Sequence, residues 1–280
     1  MILLWAALLA QGSAPDLSSV PPDLQVPAMT EGEPAPGTRV RQTTPGWEGT
    51  AVYHALYLPR EWKAGETYPV LVEYAGNGGY QNAFGDVCSG AVDGSSLGYG
   101  ISGGKGFLWV SMPFVRITGA RKENALTWWG DVDETKRYCL RTVAFLCEKY
   151  GGNPKKLVLA GFSRGSIACN FLGLHDDEIA PLWRAFIADS HYDGQLTHWG
   201  YPGADRASAL ARLQRLKGRP QFICMENSVD AIRTYVEGTG IAGDFTFRTI
   251  PFRNHSDQWV LRDLPERRAL RDWLRRALGD

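Results

Sequence analysis

The stretch that most constrains this chain runs from Lys156 to Leu174 and reads KLVLAGFSRGSIACNFLGL. A short apolar run leads into a G-x-S-x-G turn with Ser163 at its vertex, and small and apolar residues at helical spacing follow. Leu157, Val158 and Leu159 suit a buried parallel strand, while Ile167, Ala168, Phe171 and Leu172 suit a helix lying against a sheet. Strand, tight turn and helix is the context that gives this motif its chemistry. Gly161 and Gly165 leave room where two backbone segments must approach closely, so Ser163 can hold a strained turn and present its hydroxyl at a helix start. There the Arg164 N–H points toward any oxyanion formed on an attacked carbonyl. A serine hydroxyl is a poor nucleophile at neutral pH, so a histidine must take its proton and an acid must orient that histidine.

Only five histidines can serve. His54 lies on the early strand TAVYHALYL and suits a structural role; His175 lies at the far end of the helix after Ser163. His191 and His198 share the segment DSHYDGQLTHWGYPG, with no H-E-x-x-H or cysteine pattern to argue for a metal. His255 follows the last predicted strand, 245–250, and fits the final position of the order serine, acid, histidine. For the acid, the loop after the strand 221–225 offers Asp230, which is favoured, and Glu226, with Asp189 as a third choice. Asp257 is too close in sequence to His255 and suits a local turn contact.

The remaining pattern alternates strands and helices, which predicts a mostly parallel α/β sandwich. Strands are expected at 50–58, 69–74, 106–113, 185–188, 221–225 and 245–250, beside the strand before Ser163. Helices are expected at 131–150, 206–216, 229–238 and from Pro265 onward. The run AGNGGYQNAFG after the strand 69–74 makes Gly78, Gly79 and Tyr80 candidates for a second oxyanion donor. Residues 90–106 read as an irregular loop on the site side. Strand C-termini form the ligand side of such a sheet, so His191, Tyr192, His198 and Trp199 after the strand 185–188, with Trp128 and Trp129 just before the helix 131–150, are candidate substrate contacts. Aromatic residues equally anchor cores.

With 280 residues the chain can bury one sizeable core, and no break in composition divides it. Thirty basic and thirty acidic residues cancel without a long basic run, which excludes nucleic acid as a partner. The first fourteen residues, MILLWAALLAQGSA, form an apolar run ending in small residues. They are expected to direct export to a secreted or periplasmic location, with cleavage after Ala14. No stretch is long enough to cross a bilayer, so no integral membrane association is expected. Residues 15–38 read as a flexible leader or a wrap over the surface, ahead of one domain, 39–280. The five cysteines form no C-x-x-C pair and suit buried thiols, with Cys88 the one candidate for a disulfide.

On LVLAGFSRGS around Ser163, the glycines at 78 and 79, the acid candidate at 230 and HSDQW at His255, residues 50–278 resemble the α/β-hydrolase family. Within it they resemble compact serine esterases and polyester depolymerase-like or feruloyl-esterase-like hydrolases. That resemblance implies a central, mostly parallel eight-stranded sheet flanked by helices, without a large cap. It also implies Ser163 as nucleophile, Asp230 as acid, His255 as base, backbone donors at Gly78 or Gly79 and Arg164, and neither metal nor organic cofactor. The expected activity is hydrolysis of a carboxylic ester on a small-molecule or carbohydrate-linked substrate, through an acyl-enzyme. A peptidase related to prolyl oligopeptidase and a non-catalytic binding protein on the same fold are the alternatives.

Overall fold

The computed structural model describes residues 14–279, so all of the expected export segment except Ala14 lies outside the described residues. One sheet of nine strands carries the chain. Its strands are β1 (Met29–Thr30), β2 (Arg39–Gln42), β3 (His54–Tyr57), β4 (Tyr68–Tyr74), β7 (Leu108–Met112), β10 (Gly152–Phe162), β11 (Ala185–Asp189), β12 (Pro220–Glu226) and β13 (Asp244–Ile250). Two hairpins stand outside it: β5 (Tyr80–Gln81) with β6 (Val87–Cys88), and β8 (Phe114–Thr118) with β9 (Arg121–Ala125). The sheet order is β1-β2-β3-β7-β4-β10-β11-β12-β13, and only the β2–β3 and β3–β7 pairs are antiparallel. Seven of these lie where strands were expected; β2 and the two-residue β1, which joins the edge from a segment without strand periodicity, bring the sheet to one strand more than the expected eight.

Alternation along the strands assigns the two faces. Val70 and Val72 of β4 and Leu157 and Leu159 of β10 join one cluster. On that face lie α2 (Val132–Tyr150), α3 (Arg164–Phe171), α4 (Arg206–Leu213) and α5 (Asp230–Gly238), through residues such as Val143, Ile167, Leu213 and Ile232. Leu71, Val158 and Ala160 point the other way, where α1 (Leu97–Ser102) and α6 (Pro265–Leu278) cover them. Asp131 caps α2 by accepting from the Glu134 N–H at 2.8 Å, which fixes where that helix begins. The parallel centre thus aims the C-terminal ends of β4, β10, β11 and β12 at one edge, and the site forms there.

Two expectations are corrected. Residues 90–106 are not a site-side loop throughout, because α1 forms within them and lies buried against α6 and the 257–261 turn. Gly98 and Gly100 hid this helix: each lies so close to Trp109 or Val260 that a Cβ would meet a heavy atom at 2.1 or 2.2 Å. Nor do residues 15–38 behave as a flexible leader. Leu17 is buried, Asp23 and Leu24 donate their N–H groups to the Leu261 carbonyl, and the Arg267 guanidinium grips Asp23 through two 2.7 Å bonds. Those partners come from the other end of the chain, which local composition does not reveal. All five cysteines are free thiols.

His54 is fully buried on β3 with its Nδ1 2.9 Å from the Tyr138 hydroxyl, and burial pulls its imidazole down to about 3. Unfolding returns it to an ordinary histidine of about 6.5. Between those values the unfolded chain binds one more proton, so this group's contribution to stability is present above about 6.5 and is lost as the pH falls. His54→Gln is therefore expected to flatten the rise of unfolding free energy with pH between about 4 and 6 by up to ~1.4 kcal/mol per pH unit. Urea titrations across that range check this, and an unchanged slope contradicts it.

Candidate active site

Ser163 ends β10 and opens α3 at φ 55° and ψ −112°, a strained conformation for a residue with a side chain. The flanking glycines are required. A Cβ on Gly161 would meet the Gly165 carbonyl oxygen at 2.1 Å, and one on Gly165 would meet the Tyr74 oxygen at 1.8 Å. The Ser163 N–H donates to the Asp189 carbonyl of neighbouring β11 at 2.9 Å, so the turn is tied to the sheet. Its hydroxyl is thereby left facing the loop after β13.

That loop carries His255, whose Nε2 lies 3.0 Å from Ser163 Oγ. Its Nδ1 lies 2.6 Å from Glu226 Oε1, which places the ring proton on Nδ1 and leaves Nε2 free to accept from the serine. Burial pushes the Glu226 carboxyl up, but the His255 bond and charge and the Ser190 hydroxyl together hold it below its ordinary value. Asp230, the favoured acid, does not reach His255. It begins α5, is exposed, and accepts from the Ser228 hydroxyl at 2.8 Å. The physical reason is the sheet edge: Glu226 is the last residue of β12, paired with Ile250 of β13, and the chain turns away at Asn227 with φ 60°. Asp189 is also excluded as the orienting acid. It is buried, accepts from Trp259 Nε1 and the Cys224 thiol at 3.1 Å each, and burial pushes its carboxyl well above the usual range.

Sequence reading missed Ser190. It follows β11 at φ 88°, is fully buried, donates its hydroxyl to Glu226 Oε2 at 2.6 Å, and lies 2.8 Å from His255 Nδ1. No motif marks a serine of this kind. Its position at a strand end beside Asp189 was the available signal.

Of the oxyanion candidates, Gly78 is corrected, because its N–H already donates to the Leu126 carbonyl at 2.8 Å. Gly79, at φ 74° with open space around its Cα, and Arg164 at the start of α3 both line the cavity that holds Ser163. The Arg164 side chain has a different task. Its buried guanidinium donates to the carbonyls of Trp128 at 2.7 Å and of Gly90 at 3.3 Å, and lies over the Phe114 ring at 4.0 Å. Burial pulls it down to about 9, so it stays cationic at neutral pH and pins the loops around the site. Asn77 adds to this by accepting from the Trp128 N–H at 2.7 Å.

The cavity in front of Ser163 holds about 330 Å³ and is walled by Tyr80, Trp128, Ile167, His191 and Trp199. Burial, then the nearby His255, pull the His191 imidazole down to about 4, so it is neutral at neutral pH. Three expected contacts do not line this cavity. Trp129 is buried and stacked on Phe171 with centroids 4.4 Å apart, and Tyr192 is buried with its hydroxyl on Gln221 at 2.6 Å. His198 is exposed and packs behind Trp199 at 4.8 Å. In each case the adjacent residue, Trp128, His191 or Trp199, lines the cavity instead. A larger groove of about 930 Å³ lies between residues 22–29 and Ser95–Ser96, and it contains neither Ser163 nor His255. Among the described residues no cluster of three or more His, Cys, Asp or Glu could hold a metal ion, and no helix is long and apolar enough to cross a membrane.

No family model matches the chain, and no curated protein matches it in sequence. Solved structures do match. An S-formylglutathione hydrolase from Agrobacterium tumefaciens aligns with a TM-score of 0.56 at 15% identity, covering 91% of this chain and 99% of its own. A fungal esterase from Rhizomucor miehei aligns at 0.54 and 12%, covering 88% and 86%. A putative dipeptidyl aminopeptidase IV from Bacteroides ovatus aligns at 0.54 and 14% over 86% of this chain, which spans only 35% of the peptidase. These likenesses show the fold, and the chain has the α/β-hydrolase fold.

Proposed function

We propose that this chain is a serine hydrolase that cleaves carboxylic esters through an acyl-enzyme. The observation that carries the reading is the continuous hydrogen-bonded line from Glu226 through His255 to Ser163, ending at a cavity that Gly79 and Arg164 help to line. In this reading His255 Nε2 takes the Ser163 proton as Oγ attacks the ester carbonyl. Glu226 holds the Nδ1 proton and stabilises the imidazolium. The Gly79 and Arg164 N–H groups receive the tetrahedral oxyanion. His255 returns the proton to the departing alcohol, then activates the water that frees the acyl group and Ser163.

The walls favour a neutral ester with an aromatic or carbohydrate-linked acyl group. Tyr80, Trp128 and Trp199 offer ring faces, and none of the residues lining the cavity is acidic. A substrate with a free ammonium group would find no carboxylate there, which favours esters over aminoacyl amides. Trp199→Ala is expected to lower kcat/KM for a feruloyl-type ester by about 3- to 10-fold and for an acetyl aryl ester by less than ~2-fold. Equal losses on both, measured on folded protein, remove the reason for preferring an aromatic acyl group.

A further inference from the structure

We infer that Asp86, on the hairpin β5–β6, is a positioning residue for His255, and that it works together with the N-terminal segment Pro15–Leu17. The inference rests on the hydrolase reading above and concerns how the base is held. Residues 251–256 have no regular secondary structure, so the sheet does not fix the backbone that carries His255.

Two separate elements grip it. On one side the Asp86 carboxylate accepts from the His255 backbone N–H at 3.0 Å through Oδ2 and from Asn254 Nδ2 at 2.9 Å through Oδ1. On the other, Asn254 Oδ1 accepts from the Leu17 N–H at 2.7 Å, the Arg253 N–H donates to the Pro15 carbonyl at 3.1 Å, and the Arg253 guanidinium meets Asp16 at 3.0 Å. Asn254 and Leu17 are both buried, so their bonds are shielded from water and costly to leave unmade. The Arg253–Asp16 pair is partly exposed and contributes little.

Asp86 is itself set in place. Asn82 donates Nδ2 to its Oδ2 at 2.7 Å, and Asn82 Oδ1 accepts from the N–H groups of Phe84 and Asp86 at 3.0 and 3.1 Å, which shapes the hairpin turn. The same hairpin begins with Tyr80, whose ring packs edge-on to His255 at 4.8 Å and walls the cavity directly after Gly79. One carboxylate therefore ties the backbone of the base to the turn that presents the oxyanion donor. Sub-ångström drift of either group relative to Ser163 lowers the rate of attack far more than it lowers substrate binding.

The test compares wild type with Asp86→Ala. A fluorophosphonate probe measures the rate constant and final extent of covalent labelling at Ser163, and an aryl acetate gives kcat and KM. The expected result is a labelling rate constant and kcat each lower by ~10- to 100-fold, with KM within ~2-fold and nearly complete final labelling. A role confined to folding instead reduces the final extent of labelling at an unchanged rate constant, and that result overturns the inference. Should Asp86→Ala not fold, Asn254→Ala, which cuts the bonds to both Asp86 and Leu17, is read by the same criteria. Wild-type protein that the probe does not label overturns the hydrolase reading and this inference with it. A labelled wild type and an equally fast variant overturn this inference alone.

Discussion

Glu226→Gln is expected to lower kcat/KM toward an aryl ester by roughly 10³- to 10⁴-fold, whereas Asp230→Asn changes it by less than ~2-fold. Glu226 and His255 Nδ1 are 2.6 Å apart, so the carboxylate both selects the tautomer and faces the charge that forms when the base takes the serine proton. Glutamine keeps the size but removes the charge. If its amide nitrogen faces Nδ1, the ring proton is driven to Nε2, where it blocks acceptance from Ser163. Ser190 sharpens the expectation, since its hydroxyl fixes the other carboxylate oxygen and favours one orientation of the group. Asp230 is an exposed residue at the start of α5 whose partner is Ser228. Steady-state kinetics on the two folded variants separate the assignments. Comparable losses would show that the geometry around β12 is not the working one.

The second large effect belongs to Ser163→Ala, for which turnover is expected to fall by about 10³- to 10⁶-fold while the melting temperature changes little. The oxyanion donors and the cavity survive that change, so residual hydrolysis above the background is expected from binding and polarisation alone. The substitution removes one oxygen from a position that packs no large core volume, and the glycines on either side keep the turn geometry. A folded variant with near wild-type turnover would exclude Ser163 as nucleophile.

The parts of this site that can be read in the sequence are those fixed by local sterics. Gly161, Ser163 and Gly165 are local because a close backbone approach and a strained turn can be met only by glycine at those two spacings. His255 was reachable because few histidines exist and only one follows the last strand. Choosing between Glu226 and Asp230 required knowing which residue ends β12 and which way the chain leaves the sheet. The two lie four positions apart, and the deciding feature is the left-handed turn at Asn227. A boundary error of that size is ordinary for sequence reading.

Ser190, Asp86 and the Pro15–Leu17 segment were hidden for a different reason. Their partners lie at separations of 36, 169 and 237 residues, as in Ser190 to Glu226, Asp86 to His255 and Leu17 to Asn254. No local pattern encodes such pairs. The two-residue β1 was missed on the same grounds, since pairing with β2 rather than intrinsic periodicity makes it a strand.

Hydrolysis by this route requires a covalent intermediate on Ser163, and trapping that intermediate tests the route directly. Wild-type protein is mixed with an excess of an aryl ester, quenched in acid within the first turnovers, and examined by intact-mass and peptide-mapping mass spectrometry. A mass increase equal to one acyl group is expected, mapped to the peptide containing Ser163, absent in Ser163→Ala and accumulating far more slowly in Glu226→Gln. Hydrolysis by wild type with the acyl group mapped to another residue, or at an undiminished rate in Ser163→Ala, would contradict this route.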